Sequence, residues 1–157
     1  MSPLDARVLL VAADAERDWQ QVETNLRKAT ALDPALGEPE SAYVALALDH
    51  AYEAFETMLV RVERAVGLPE RSGAAWHRAL LGDAARELPG VRPLIVPPEV
   101  LADWVDLLGF RHFLRHAYAA ELEAEKLRAV AARLARAVAA TRPSVQRTLE
   151  ALRKPTP

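Results

Sequence analysis

The chain has 157 residues, enough for one domain whose core needs neither disulfides nor a structural metal. Its 20 Lys and Arg stand against 22 Asp and Glu, a formal net charge of −2, so no global field attracts nucleic acid and any such contact must be local. Cysteine is absent, which excludes disulfides, thiolate zinc sites and cysteine nucleophiles and agrees with a reducing cytoplasm.

The N-terminal stretch MSPLDARVLLVAADAERDW is interrupted by Asp5, Arg7, Asp14, Glu16 and Arg17, so it predicts neither a signal-peptide core nor a membrane span. The expectation is a soluble, cytoplasmic protein. Apolar positions recur at helical spacing along the chain and never in the alternation of a strand. This predicts an all-α fold, an up-and-down bundle of four to five helices forming a single domain over residues 1–157, with a flexible tail over about 153–157. The first helix takes Ser2 as N-cap and Pro3 at its first position, carries Leu4, Val8, Val11, Ala15, Trp19, Val22, Leu26 and Ala29, and ends at Asp33-Pro34. A second of matching length runs from about Pro39 to Val66 on a stripe of Val44, Leu48, Tyr52, Phe55, Leu59, Val62 and Val66, with Gly67 and Pro69 as the stop. A shorter third helix follows Ser72, carries Trp76, Leu80 and Leu81, and finishes before Pro89-Gly90. The segment VRPLIVPP is then a proline-constrained connection, and Pro98-Glu99 opens a fourth helix on Leu101, Trp104 and Leu108. The last helix carries Leu127, Ala131, Leu134, Val138, Val145, Leu149 and Leu152, and Pro143 is expected to kink or break it. The alanine-rich AVAARLARAVAA reads as close helix packing, since alanine is the best helix former.

Continued at the same spacing, the stripe of the fourth helix passes from Leu108 to Arg111, Arg115 and Tyr118, and the apolar face turns polar. Residues seven apart differ by only about 20° around a helix, so Arg111 and Tyr118 lie in one line with Arg115 between them, and the expectation is that all three look into a cleft. His112 and His116 share a neighbouring face, while Arg111 and His116 are about 140° apart on an ideal helix. One straight helix therefore cannot aim both at the same atom unless it bends or two copies meet.

These residue types suit a phosphodiester. Arginine offers a planar fork of donors to phosphate oxygens and stays charged as negative charge builds in a transition state. Histidine exchanges protons near neutral pH. Together they permit attack by a ribose 2′-hydroxyl on the adjacent phosphate without a metal or cofactor. Two other readings stay open on spacing alone. The Arg and His residues can form a solvated or salt-bridged face with Glu121, Glu123 and Glu125 nearby. His112 and His116, four apart, can also share a metal, although no His-Glu-x-x-His pattern or clear third ligand accompanies them. His50 and His77 read as structural, and Trp19, Trp76 and Trp104 as packing rather than base-stacking platforms.

The stretch Arg111-His112-Phe113-Leu114-Arg115-His116-Ala117-Tyr118 resembles the Arg-x4-His-x-Tyr motif of HepT-type toxins, in the HEPN superfamily of ribonucleases. Gly109-Phe110 before it, the helix after it and Gly73-Ala74-Ala75-Trp76-His77 also resemble the family, and the likeness covers most of residues 40–152. The resemblance implies a helical bundle acting as a homodimer, with two motif helices facing across a cleft. It implies that Arg111 stabilises the scissile phosphate, that His116 is a general acid or base, and that Arg115 and His112 contact RNA. Cleavage of the substrate, a tRNA or mRNA, would be metal-independent and leave a 2′,3′-cyclic phosphate. The implied partner is an MntA-like nucleotidyltransferase antitoxin that transfers AMP from ATP to Tyr118. A catalytically silent HEPN-like module that binds such a nucleotidyltransferase is the alternative. A pI near 6.1 predicts modest, salt-sensitive RNA affinity.

Overall fold

The computed structural model describes residues 3–116 and 122–154; Ser2, Tyr118, Glu121 and residues 155–157 of the expected tail lie outside them. Among the described residues there are five α-helices: α1 (Pro3–Ala31), α2 (Glu38–Ala65), α3 (Trp76–Ala84), α4 (Leu101–His116) and α5 (Ala124–Arg153). Short 3-10 turns at Pro34–Leu36 and Pro98–Val100 precede α2 and α4. The expected all-α bundle is what forms.

Residues 32–37 join α1 to α2, a connection so short that the two long helices must pack antiparallel, and they share the largest contact in the molecule. Asp33 supports the corner by accepting a hydrogen bond from the backbone N–H of Ala35 at 2.9 Å. At the far end of α2, Gly67 adopts φ +81°, its N–H bonds Arg64 O and the Leu68 N–H bonds Glu63 O. That left-handed glycine stop is the one the sequence predicts.

Helix α4 runs back along α2, and α5 closes the ring between α4 and α1. Ion pairs record these directions: Asp103 with Arg136 and Asp106 with Arg133 join α4 to α5, while Glu23 with Arg142 and Glu16 with Arg153 join α1 to α5. Trp104 sits at the centre, fully buried and stacked on Phe55 of α2 at 3.8 Å, with its indole N–H donating to Thr141 of α5 at 3.1 Å. On α4 the buried stripe is Trp104 and Leu107, while Leu101 and Leu108 are half-buried.

Two local expectations change. Pro143 does not break α5, which is helical from Ala124 to Arg153. Both Pro143 and Ala139, whose carbonyl loses its donor, are on the exposed side where water can serve it, while Thr141, Ser144 and Val145 hold the buried side. Helix α3 begins at Trp76 rather than directly after Ser72 and stops at Ala84, because the N–H groups of Ile95 and Val96 take the Ala84 carbonyl. Its neighbouring loop is anchored by buried Arg92, which donates to the carbonyls of Asp83, Arg86 and Pro93. Among the described residues no helix is long and apolar enough to cross a membrane.

Candidate functional site

The polar end of α4 lies against α2, and there the two arginines meet acids. Arg111 Nε is 3.6 Å from Asp49 Oδ1, and Arg115 Nη2 is 3.6 Å from Asp49 Oδ2. Glu53, one turn along α2, is 4.0 Å from Arg111 Nη2 and 3.9 Å from Arg115 Nη2. Asp49 is 8% exposed and Arg111 17%, whereas Arg115 is 51% exposed. Of the two guanidinium groups expected to look into a cleft, Arg115 is accessible and Arg111 is packed against α2. The salt-bridged reading of this face also acquires different partners, since Asp49 and Glu53 of α2 take the place expected for acids beyond Tyr118.

The pairing is electrostatic rather than hydrogen-bonded. Buried Asp49 Oδ1 and Arg111 Nη1 have no hydrogen-bond partner among the described residues. Such groups carry a desolvation cost that the charge attraction within the cluster offsets in part.

His112 and His116 occupy the outward face, both exposed, with ring centroids 4.2 Å apart. His116 Nδ1 donates to the His112 carbonyl at 2.8 Å, which leaves Nε2 as its free ring nitrogen. The angular separation of Arg111 and His116 is real: one turns toward α2, the other toward solvent. Tyr118 lies outside the described residues.

Asp49, His50 and Glu53 bring three potential ligand atoms within 4.8 Å of one another. Both carboxylates already face two guanidinium groups, so a cation there would have to displace Arg111 and Arg115.

The same face of α2 continues inward. Buried Glu56 accepts hydrogen bonds from the Tyr52 hydroxyl at 3.0 Å and from His77 Nδ1 at 2.7 Å, and His77 stacks on Trp76 at 3.8 Å. Burial, and then the Glu56 charge, push the Tyr52 phenol far above its usual range, with Arg111 acting in the opposite sense. Tyr52 therefore senses both ends of this polar ledge. His77 is held by its contact with Glu56, and Trp76 packs against the core while remaining half-exposed.

Sequence reasoning missed Asp49, Glu53 and Glu56. A signal for them exists: the three acids sit at steps of four and three beside the apolar stripe of α2, on its flank rather than opposite it.

A family model described as HepT-like protein matches residues 43–152. The chain belongs to the HepT-like family. The matched span begins within α2 and runs to the end of α5, so it contains the acids of α2, the Trp76-His77 pair and the whole Arg-x4-His-x-Tyr motif. All of α1 lies before it. Neither the curated proteins nor the solved structures searched gave a match.

Proposed function

We propose that this HepT-like protein is a toxin of a toxin-antitoxin pair, a metal-independent endoribonuclease silenced by adenylylation (AMPylation) of Tyr118. The observation that carries the reading is the Arg-x4-His-x-Tyr motif inside the matched family span, with Arg111 and His116 at the end of α4. In this mechanism the ribose 2′-hydroxyl attacks the adjacent phosphorus, the bond to the 5′-oxygen breaks, and a 2′,3′-cyclic phosphate remains. Arg111 stabilises the charge on the phosphate, oriented by Asp49, whose Oδ1 faces its Nε. Half-exposed Arg115, with His112, holds the RNA chain. His116 exchanges protons through its free Nε2.

The opposed directions of Arg111 and His116 support a homodimer, in which each copy supplies what the other's helix cannot aim. The nucleotidyltransferase partner would place AMP on Tyr118, bringing a phosphate that competes with RNA for Arg115 and Arg111. The deep seating of Arg111 favours a second reading, a silent HEPN-like module in which the Arg111–Asp49 pair is structural.

Purified protein freed of antitoxin, given RNA in the presence of EDTA, separates the two. Cleavage with a cyclic-phosphate end, lost in Arg111→Ala and His116→Ala variants that melt like wild type, supports the enzyme. Folded, unmodified protein that leaves RNA intact supports the module, and cleavage that needs a divalent ion would return attention to His112 and His116 as ligands.

A further inference from the structure

The motif helix carries one side chain that neither the salt-bridged cluster nor the imidazole pair uses. Phe113 is 46% exposed, the only large apolar side chain of α4 and α5 left so open among the described residues. It does not stand over flat surface. With Phe110 it forms the α4 side of a hollow of about 400 Å³, whose other apolar lining includes Leu122, Leu127 and Val130 around the start of α5. Phe110 and Leu122 pack against the core and Leu127 and Val130 belong to it, so the hollow is backed by fixed residues while Phe113 meets solvent.

This space adjoins the outward face of the motif. Phe113 precedes His116 by three residues, about 4.5 Å along the helix axis and about 60° around it. His116 leans back over the turn that carries Phe113, since its Nδ1 donates to the His112 carbonyl at 2.8 Å. His112 flanks the imidazole on one side, with ring centroids 4.2 Å apart, and Phe113 follows on the other.

Size and lining indicate the occupant. A space of that volume with aromatic and aliphatic walls and a few charged groups is on the scale of a small flat ligand. A protein partner needs about 800 Å² from each side, which one exposed phenyl ring does not supply. Two phenyl faces suit a nucleobase, because every base presents a flat π-face to stack. Two cations on the same lining suit its phosphate. Lys126 Nζ is 3.6 Å from Glu123 and Arg133 Nε is 3.5 Å from Asp106, and these open ion pairs are weak enough to exchange an acid for a phosphate oxygen.

We infer that this hollow is a base subsite for single-stranded RNA, in which the nucleobase beside the scissile phosphate stacks on Phe113 and Phe110 while Lys126 and Arg133 hold its phosphate. This rests on the ribonuclease reading above. No bond changes at the subsite; by seating one base, Phe113 selects which phosphate comes to His116.

The test uses the full chain and uncleavable 2′-O-methyl RNA in which a single abasic nucleotide is walked along the strand. For wild type, one abasic position should weaken binding roughly 5- to 100-fold, the effect of losing one base stacked on an aromatic ring. Phe113→Ala should weaken binding of the intact strand by the same factor, and the abasic position should then add nothing, because ring and base act as one pair. Phe113→Tyr keeps the aromatic face and should bind like wild type. Additive penalties in folded Phe113→Ala, wild-type affinity in that variant, or weakened binding in folded Phe113→Tyr overturns the subsite. So does a dimer turned to monomer by Phe113→Ala in light scattering, which would make the hollow the seat of a second copy. Should Phe113→Ala not melt like wild type, Phe113→Leu is judged in its place, and loss of fold in both overturns the assignment. Wild-type protein that binds no single-stranded RNA defeats both readings. RNA bound with a Phe113-dependent abasic penalty but never cut defeats the ribonuclease reading alone, whereas ordinary RNA cut by Phe113→Ala at wild-type kcat/KM defeats the subsite alone.

Discussion

Replacing Asp49 by asparagine should weaken the fold and strengthen RNA binding at once, a combination that neither a structural salt bridge nor an inert surface acid produces. The oxygen pair of Asp49 faces Arg111 and Arg115 at 3.6 Å each, and together with Glu53 the four side chains sum to zero charge. At an effective dielectric of about 20, one such contact is worth about 4 kcal/mol before desolvation. Arg115 is half in water and neither contact is a hydrogen bond, so most of that attraction is already offset, and the net loss in Asp49→Asn should be about 2 kcal/mol. The neutral cluster then becomes a cluster of charge +1. Urea unfolding should show a lower midpoint at unchanged m, the signature of lost stability without a changed denatured state. Binding of uncleavable 2′-O-methyl RNA should tighten, and the slope of log K against log salt should steepen by up to about 0.7, the weight of one phosphate contact on a single strand. Cleavage should slow nonetheless, because Arg111 loses the group that orients it. A folded Asp49→Asn protein that binds RNA more weakly, or whose stability is unmoved, would refute the view that Asp49 restrains the two arginines.

Trp104→Phe removes the hydrogen bond to buried Thr141 and part of the stack on Phe55, and should cost about 2 kcal/mol by thermal or urea unfolding; adding Thr141→Val should recover part of that by removing the stranded hydroxyl. Recovery of nothing would mean that lost packing accounts for the whole effect. Tyr118→Phe should fold, cut RNA and escape silencing by a nucleotidyltransferase with ATP, read by intact mass and a cleavage assay. AMP found on Tyr43 or Tyr52 would defeat that switch, and Tyr52 is a demanding target because it is fully buried. Light scattering at micromolar concentration should report a dimer, and a monomer that still cleaves RNA would require Arg111 and His116 to act within one chain.

Much of this molecule is written in local signals. Helical periodicity, the proline at the start of α4, Asp33-Pro34 and the Gly67 stop each act within a few residues of themselves, so the elements, their order and the all-α class could be read in advance. The motif was equally legible, because Arg111, Arg115, His112 and His116 sit on one helix and their relative angles follow from 3.6 residues per turn. Periodicity failed at Pro143, where the deciding factor was whether the freed carbonyl reached water, and at the start of α3, which begins at Trp76 rather than directly after Ser72.

What sequence could not supply was the identity of the surface each face meets. A helical pattern states that Arg111 and His116 point apart; it does not state that one of those directions holds Asp49. Asp49 and Arg111, like Glu56 and His77, are brought together by the crossing of α2 with α4 and α3, and that crossing is set by the burial of Trp104, Phe55, Leu107 and Leu80 rather than by any attraction between the polar groups. The residues fit for chemistry were therefore fixed by the chain itself, while the tertiary packing decided which acid each base would face, because apolar burial sets the helix register and the polar ledge inherits it.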